Sequence, residues 1–237
     1  MKKSMRIILP IFAIALVIAT VGSVASAQAS PIVIVPAPGG TDVFTTNYFS
    51  NNNAAGAPHA TLHVTNDGSS ASEVQAEGSS QGDLCANVYV FDDSQEFKEC
   101  CSCPISPNGM RTWDIHTDLN SNPANGVVAN QGLIQVVSTH ATGNGGGCDP
   151  TGGFNVFFGT GGGLTLEPEV ESWTTHVQLA NSPGAKYSLT ETESIEEELS
   201  SHELTTLELE CAFATASAGF GQGSGSGTGV CGCGFEL

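Results

Sequence analysis

"LCANVYVFDDSQEFKECCSCP", Leu84 to Pro104, carries two runs of strand character on either side of a turn and four of the chain's eight cysteines. In "LCANVYVF" and "EFKECC" β-branched, aromatic and apolar residues recur with the period of two expected of strands. Asp92 and Asp93 between them read as a two-residue hairpin turn, which sets Phe91 opposite Ser94 and Cys85 opposite Cys100. Opposed cysteines in a non-hydrogen-bonded pair have Cα atoms about 4.5 Å apart, within the range a disulfide tolerates. A slip of one residue pairs Cys85 with Cys101 instead. Extended backbone also turns Cys100 and Cys101 to opposite faces and Cys101 and Cys103 to the same one, so the adjacent cysteines need separate partners.

Near the C-terminus "CGCG" repeats the pattern: Cys231 and Cys233 share a face if extended. Two facing C-x-C segments make either two neighbouring disulfides or a four-thiolate metal site from Cys101, Cys103, Cys231 and Cys233. The C-x2-C chelating spacing is absent. Asp92, Asp93, Glu96 and Glu99 crowd the first segment, with Lys98 alone to offset them, and negative charge disfavours the thiolates that metal binding or redox chemistry needs. All eight cysteines therefore read as disulfide candidates, and Cys148 and Cys211 are left to each other by elimination.

The N-terminus sets the compartment. Lys2, Lys3 and Arg6 precede the apolar run "IILPIFAIALVIA", and "VASAQA" offers an A-x-A site at Ala25 and Ala27. Residues 1–27 read as a cleaved signal peptide, and residues 28–237 as one β-rich domain with Gly-rich loops and a Gly/Ser-rich C-terminal segment. The expected location is secreted: extracellular, cell surface or periplasm. No later stretch is apolar for the roughly 20 residues a spanning helix needs, so membrane insertion is not expected.

Cleavage leaves Lys98, Arg111 and Lys186 as the basic residues, three against twenty-four acidic ones, a net charge of −21. Phosphate-backbone binding depends on basic side chains, so nucleic acid is excluded as a partner. The same field favours weak divalent-cation binding or a basic partner, and it keeps the chain soluble.

Further strand-like runs are "IVIV" (Ile32 to Val35), "DVFTTNYF" (Asp42 to Phe49), "ATLHVT" (Ala60 to Thr65) and "MRTWDIH" (Met110 to His116). "LIQVVST" (Leu133 to Thr139), "FNVFF" (Phe154 to Phe158), "ESWTTHVQL" (Glu171 to Leu179) and "KYSLTET" (Lys186 to Thr192) continue the series. Trp113 and Trp173 read as core anchors. One helix is expected: Ser200 caps it, Glu203 stands three residues on, and Leu204, Leu207 and Cys211 recur at helical spacing. The fold class is all-β, a disulfide-braced antiparallel β-sandwich with one short acidic C-terminal helix.

Catalytic and metal signatures do not emerge. "DLNSNPANG" places Asp118, Asn120 and Asn122 at alternate positions like a calcium loop, but Pro123 and Ala129 stand where the glycine and glutamate belong. His59 and His63 in a strand lie about 13 Å apart, too far to share a metal. No G-x-S-x-G elbow or P-loop is present. The glutamates from Glu191 to Glu210 read as a solvated face. No catalytic residue and no cofactor is assigned.

"LCANVYVFDDSQEFKECCSCPISPNGMRT" (Leu84 to Thr112), continued by "DLNSNP" and closed by "GSGTGVCGC", resembles a family of exported bacterial proteins with no assigned activity. The likeness covers about a quarter of the chain and departs from the family pattern in the acidic run and the short "CGC" ending. It implies export and a shared cysteine framework. Two functional classes follow. The first is a non-catalytic structural, adhesive or assembling module at a surface or in extracellular matrix, with Ile32, Val33, Ile34 and Val35 of "PIVIVPAP" as a strand that could add to a neighbour's sheet edge. The second is a metal-binding or redox protein using the C-x-C cysteines.

Overall fold

The computed structural model describes residues 43–69, 82–120, 127–141, 147–153, 163–168, 170–180, 186–218, 228–229 and 231–237. These lie in a compact unit spanning Ile32–Leu237. The expected signal peptide, Ile32 to Val35, "FNVFF" and most of the glycine clusters fall outside the described residues.

In chain order the elements are β1 (Phe44–Phe49), β2 (Thr61–Asn66), β3 (Leu84–Asp92), β4 (Phe97–Ile105), β5 (Met110–Asp114), β6 (Gly132–His140), β7 (Val170–Leu179), β8 (Tyr187–Glu193), β9 (Ile195–Glu196), α1 (Ser201–Ala218), β10 (Thr228–Gly229) and β11 (Phe235–Glu236). They form a six-stranded sheet, β10-β4-β3-β6-β1-β9, and a five-stranded sheet, β11-β5-β2-β7-β8. Each of these strand pairs is antiparallel. The molecule is a disulfide-braced all-β sandwich with one helix.

The β3–β4 hairpin corrects the register read from sequence. Gln95 N–H donates to the Asp92 carbonyl and Asp92 N–H to the Glu96 carbonyl, both at 3.0 Å, and Gln95 has φ +65°. This is a three-residue loop whose last residue is left-handed, rather than a two-residue turn. The Asp92 carboxylate fixes it by accepting the Ser94 and Glu96 amides at 2.9 Å. A register shift between Val90 and Phe91 follows. Cys85 consequently faces Pro104 and Cys100 faces Tyr89, so neither the expected Cys85–Cys100 pair nor its one-residue slip forms.

The inter-sheet core takes Ala86, Val88 and Val90 from β3, Ile134 and Val136 from β6, Leu62 and Val64 from β2, and Trp113 from β5. The opposite face of the six-stranded sheet is also covered. Phe44, Tyr89, Cys100 and Val137 pack there against Leu204, Leu207 and Cys211 of α1. Burial on both faces explains why Leu84 to Val90 are buried without alternation.

Both sides of the sandwich are crossed by chain that changes sheets. β8 belongs to the five-stranded sheet, and after Ser194 the chain joins the six-stranded one as β9. On the other side β10 pairs with β4 and β11 with β5. The second crossing requires Gly234, whose φ is +58° and where a Cβ would lie 2.0 Å from the Thr112 carbonyl oxygen.

Candidate functional site

The cysteines are the densest chemistry in the chain, and four disulfides absorb them. Cys85 bonds Cys148, Cys100 bonds Cys211, Cys101 bonds Cys231 and Cys103 bonds Cys233, with Cα separations of 5.2–5.7 Å. The pairing of Cys148 with Cys211 by elimination is thereby corrected, as is Cys85 with Cys100. Elimination failed because the hairpin register it started from was wrong. The two C-x-C segments do face one another. Cys101 and Cys103 point into the inter-sheet core with Cys231 and Cys233, while Cys100 turns to the helix side. All eight are at most 6% exposed.

Each bridge joins different layers. Cys85–Cys148 ties β3 to the loop that follows β6, beside Ala141. Cys100–Cys211 ties β4 to α1. The remaining pair binds the C-terminal segment, which Trp113 Nε1 and Arg111 Nη1 also hold by donating to the carbonyls of Gly232 and Cys233 at 2.9 Å. The metal and redox reading of Cys101, Cys103, Cys231 and Cys233 needs thiolates, and these sulfurs are bonded in pairs. Among the described residues no group of three or more His, Cys, Asp or Glu side chains is placed to hold a metal ion.

The acidic run divides. Glu191, Glu193, Glu196, Glu197 and Glu198 are exposed, but Glu208 is buried and Glu203 and Glu210 are half-buried, which corrects the solvated-face reading for the helix. Burial pushes the Glu208 carboxyl up; the Leu164 amide, donating at 2.7 Å, opposes this, and Asp149 adds to it. Burial alone raises Glu210. Asp92 goes the other way: burial works against its charge, but hydrogen bonds from Lys98 and from the backbone of Glu96 and Ser94 outweigh it. Lys98 Nζ lies 2.6 Å from Asp92 and 3.2 Å from Glu96.

Asp92, Glu203 and Glu210 come together around a cavity of about 410 Å³ between α1 and the six-stranded sheet, with Phe91, Leu133 and Leu207 as its apolar lining. Sequence reasoning missed it. Its residues come from β3, the β3–β4 loop, β6 and α1, up to more than a hundred positions apart, and no local pattern joins them.

Histidines take separate partners. His59 Nδ1 is 2.6 Å from Asp114 and its ring stacks on His116 at 4.6 Å, while His63 bonds Thr61 and Thr112 at 2.9 Å. In the calcium-like stretch, Asn120 exchanges two 2.9 Å hydrogen bonds with the Ala129 backbone, and Asp118 accepts the Asp114 amide; Asn122 lies outside the described residues. Trp113 is fully buried, as expected of an anchor, but Trp173 is half-buried and stacks on His63 at 5.2 Å. Its β7 neighbours Ser172, Thr174 and His176 are the buried ones.

No helix among the described residues is long and apolar enough to cross a membrane. In comparisons with known proteins, no family model, no curated protein and no solved structure matches the chain.

Proposed function

We propose that the chain is a non-catalytic structural module, exported after cleavage near Ala27, that assembles with its own copies or with a surface or matrix partner. The observation that carries this reading is the burial of all eight cysteines in four disulfides that join sheets, helix and C-terminal segment. Such bridges persist in oxidising compartments and are rare where thiols are kept reduced. No observation favours the alternative of a C-x-C metal or redox centre.

Assembly has a candidate surface. Among the described residues β8 is bonded on one side only, by β7, and Ser188 to Glu193 are all exposed. An open edge of this length accepts another strand. Ile32 to Val35, uncharged and set between Pro31 and Pro36, have the sequence of an apolar strand free of the charges that guard edges. The protein secreted by cells carrying the full chain is the material to use. Its N-terminus is expected at Gln28, and light scattering is expected to show oligomers that a deletion of Ser30 to Pro36 converts to folded monomer. Monomeric full-length protein, or a deletion that simply unfolds, would count against assembly by this strand.

A further inference from the structure

The β2–β5 pairing continues beyond the ends of its two strands. Thr61 faces Asp114, and the Ile115 amide donates to the Ala60 carbonyl at 2.9 Å, so the next residues outward, His59 and His116, stand opposite one another. Ala60 and Ile115 are fully buried, which turns the two flanking histidines to the outer face of the five-stranded sheet. The His59 side chain is 44% exposed and His116 is partly exposed. Their rings stack with centroids 4.6 Å apart. We propose that this pair binds a divalent transition-metal ion of the zinc and copper class through the Nε2 atoms of both rings.

The hydrogen bonds around the pair prepare it for a metal. His116 Nδ1 lies 2.8 Å from the Asn52 carbonyl oxygen, which only accepts, so this nitrogen carries the proton. His59 Nδ1 lies 2.6 Å from Asp114 Oδ2. Burial works against the charge of Asp114, but the His59 hydrogen bond and the Thr117 and His116 amides outweigh it and hold the carboxyl below its ordinary range. Asp114 is therefore an acceptor too, and His59 Nδ1 donates. In the neutral rings both free lone pairs then sit on Nε2. Neither Nε2 has a hydrogen-bond partner among the described residues. A ring nitrogen whose fellow donates to a carboxylate or a backbone carbonyl is the usual state of a metal-ligating histidine, and here both rings have it. The other inward or paired histidines differ: His63 has both nitrogens bonded, to Thr61 and Thr112, and His176 is fully buried.

Reach and ligand type fix the class of ion. Directly opposed side chains in an antiparallel pair have Cβ atoms about 4.5–5.5 Å apart, near enough for two imidazoles to close on one ion at bonds of about 2.0–2.1 Å. Imidazole suits zinc, copper and nickel, whereas magnesium and calcium take oxygen ligands. Among the described residues no group of three side chains is placed to hold a metal, so the chain supplies two ligands and water fills the remaining positions. Twenty-four acidic residues against six basic ones draw cations to the surface and disfavour an anion on the same pair.

The test uses the secreted full chain, stripped with chelator and titrated by calorimetry with zinc, copper(II) and calcium ions. Expected is one zinc or copper ion per chain, copper the tighter, with calcium at least about a hundredfold weaker than zinc. Electron paramagnetic resonance of the copper complex is expected to show two imidazole nitrogens. His59→Ala and His116→Ala are each expected to weaken zinc by more than the tenfold or so that an outer partner of a metal ligand is worth. His202→Gln, at an exposed position on α1, is expected to leave it unchanged. Should His116→Ala misfold through loss of its bond to Asn52, His59→Ala, at the more exposed position, gives the same reading. Zinc binding is also expected to weaken as pH falls from about 7.5 to about 5.5, because imidazole ligates only when neutral. No uptake of zinc or copper, calcium binding as tight as zinc, a copper spectrum with fewer than two nitrogens, or zinc affinity unchanged in the histidine variants would overturn the proposal.

Discussion

His176 on β7 is fully buried, and neither ring nitrogen has a hydrogen-bond partner. Its ring stacks on Tyr48 at 3.9 Å. Burial lowers its pKa, and the Tyr48 backbone offsets only part of that. The native state therefore resists a proton that the unfolded chain accepts near pH 6.5. Stability from this group is complete above about pH 6.5 and is lost as pH falls below it, at no more than about 1.4 kcal/mol per pH unit. Glu208 and Glu210, raised by burial, have the opposite sign: the stability they confer is present below the unfolded carboxyl pKa and is lost as pH rises through their folded values. Comparing His176→Phe with the parent isolates the histidine. The urea midpoint of the parent is expected to fall relative to the variant's between about pH 7.5 and about pH 5.5, and parallel curves would show that His176 protonates as readily folded as unfolded. The strand holding His176 was legible in sequence, but its buried face was not. Trp173 looks like the core residue and Ser172 and Thr174 like solvent residues. Ser172 Oγ in fact lies 2.7 Å from the hydroxyls of both Thr45 and Ser194, pairings between distant segments that make a polar inner face stable.

At the scale of the element, α1 shows which features are local. Ser200 caps it, its Oγ accepting the Glu203 amide at 3.1 Å, and this was readable because a cap needs only its own first turn. Glu203 does something else: its carboxylate bonds Gln135 on β6. The helix is held down by Leu204, Leu207 and Cys211, and Glu208 shares their buried side. Burying Glu208 requires a donor, and the Leu164 amide, forty-four residues away in sequence, supplies it. The Cys100–Cys211 bridge closes a separation of 111 residues, which in the chain-entropy account is worth about 4–5 kcal/mol. Its removal in Cys100→Ala/Cys211→Ala is expected to raise amide hydrogen exchange along α1 while β3 and β6 keep their protection. Unchanged exchange in α1 would mean that apolar packing alone holds the helix on the sheet.

For the whole molecule, the C-terminal segment acts as a clasp. It pairs with β4 in one sheet and β5 in the other, and two bridges fasten it, each spanning a separation of 130 residues. The bridges are redundant in chain entropy. Once Cys101–Cys231 is closed, Cys103–Cys233 constrains only a few further residues, so its own entropic share is small. Removing either pair alone is expected to cost about 1–2 kcal/mol, mostly from the cavity left behind, and removing both about 5 kcal/mol or more. Urea unfolding of the two double variants and the quadruple variant tests this, and additive losses would show that each bridge closes an independent loop. The amino-acid sequence by itself determined the all-β class, most of the strands, the capped acidic helix, the facing of the two C-x-C segments and the negative charge, because periodicity, capping and composition act within a few residues. Only the tertiary structure decided the hairpin loop and with it the partners of Cys85 and Cys100, the buried side of β7, the helix layer over the six-stranded sheet and the cavity beneath it. Those depend on contacts between segments far apart in the chain, where register and packing choose among pairings that local chemistry leaves equal.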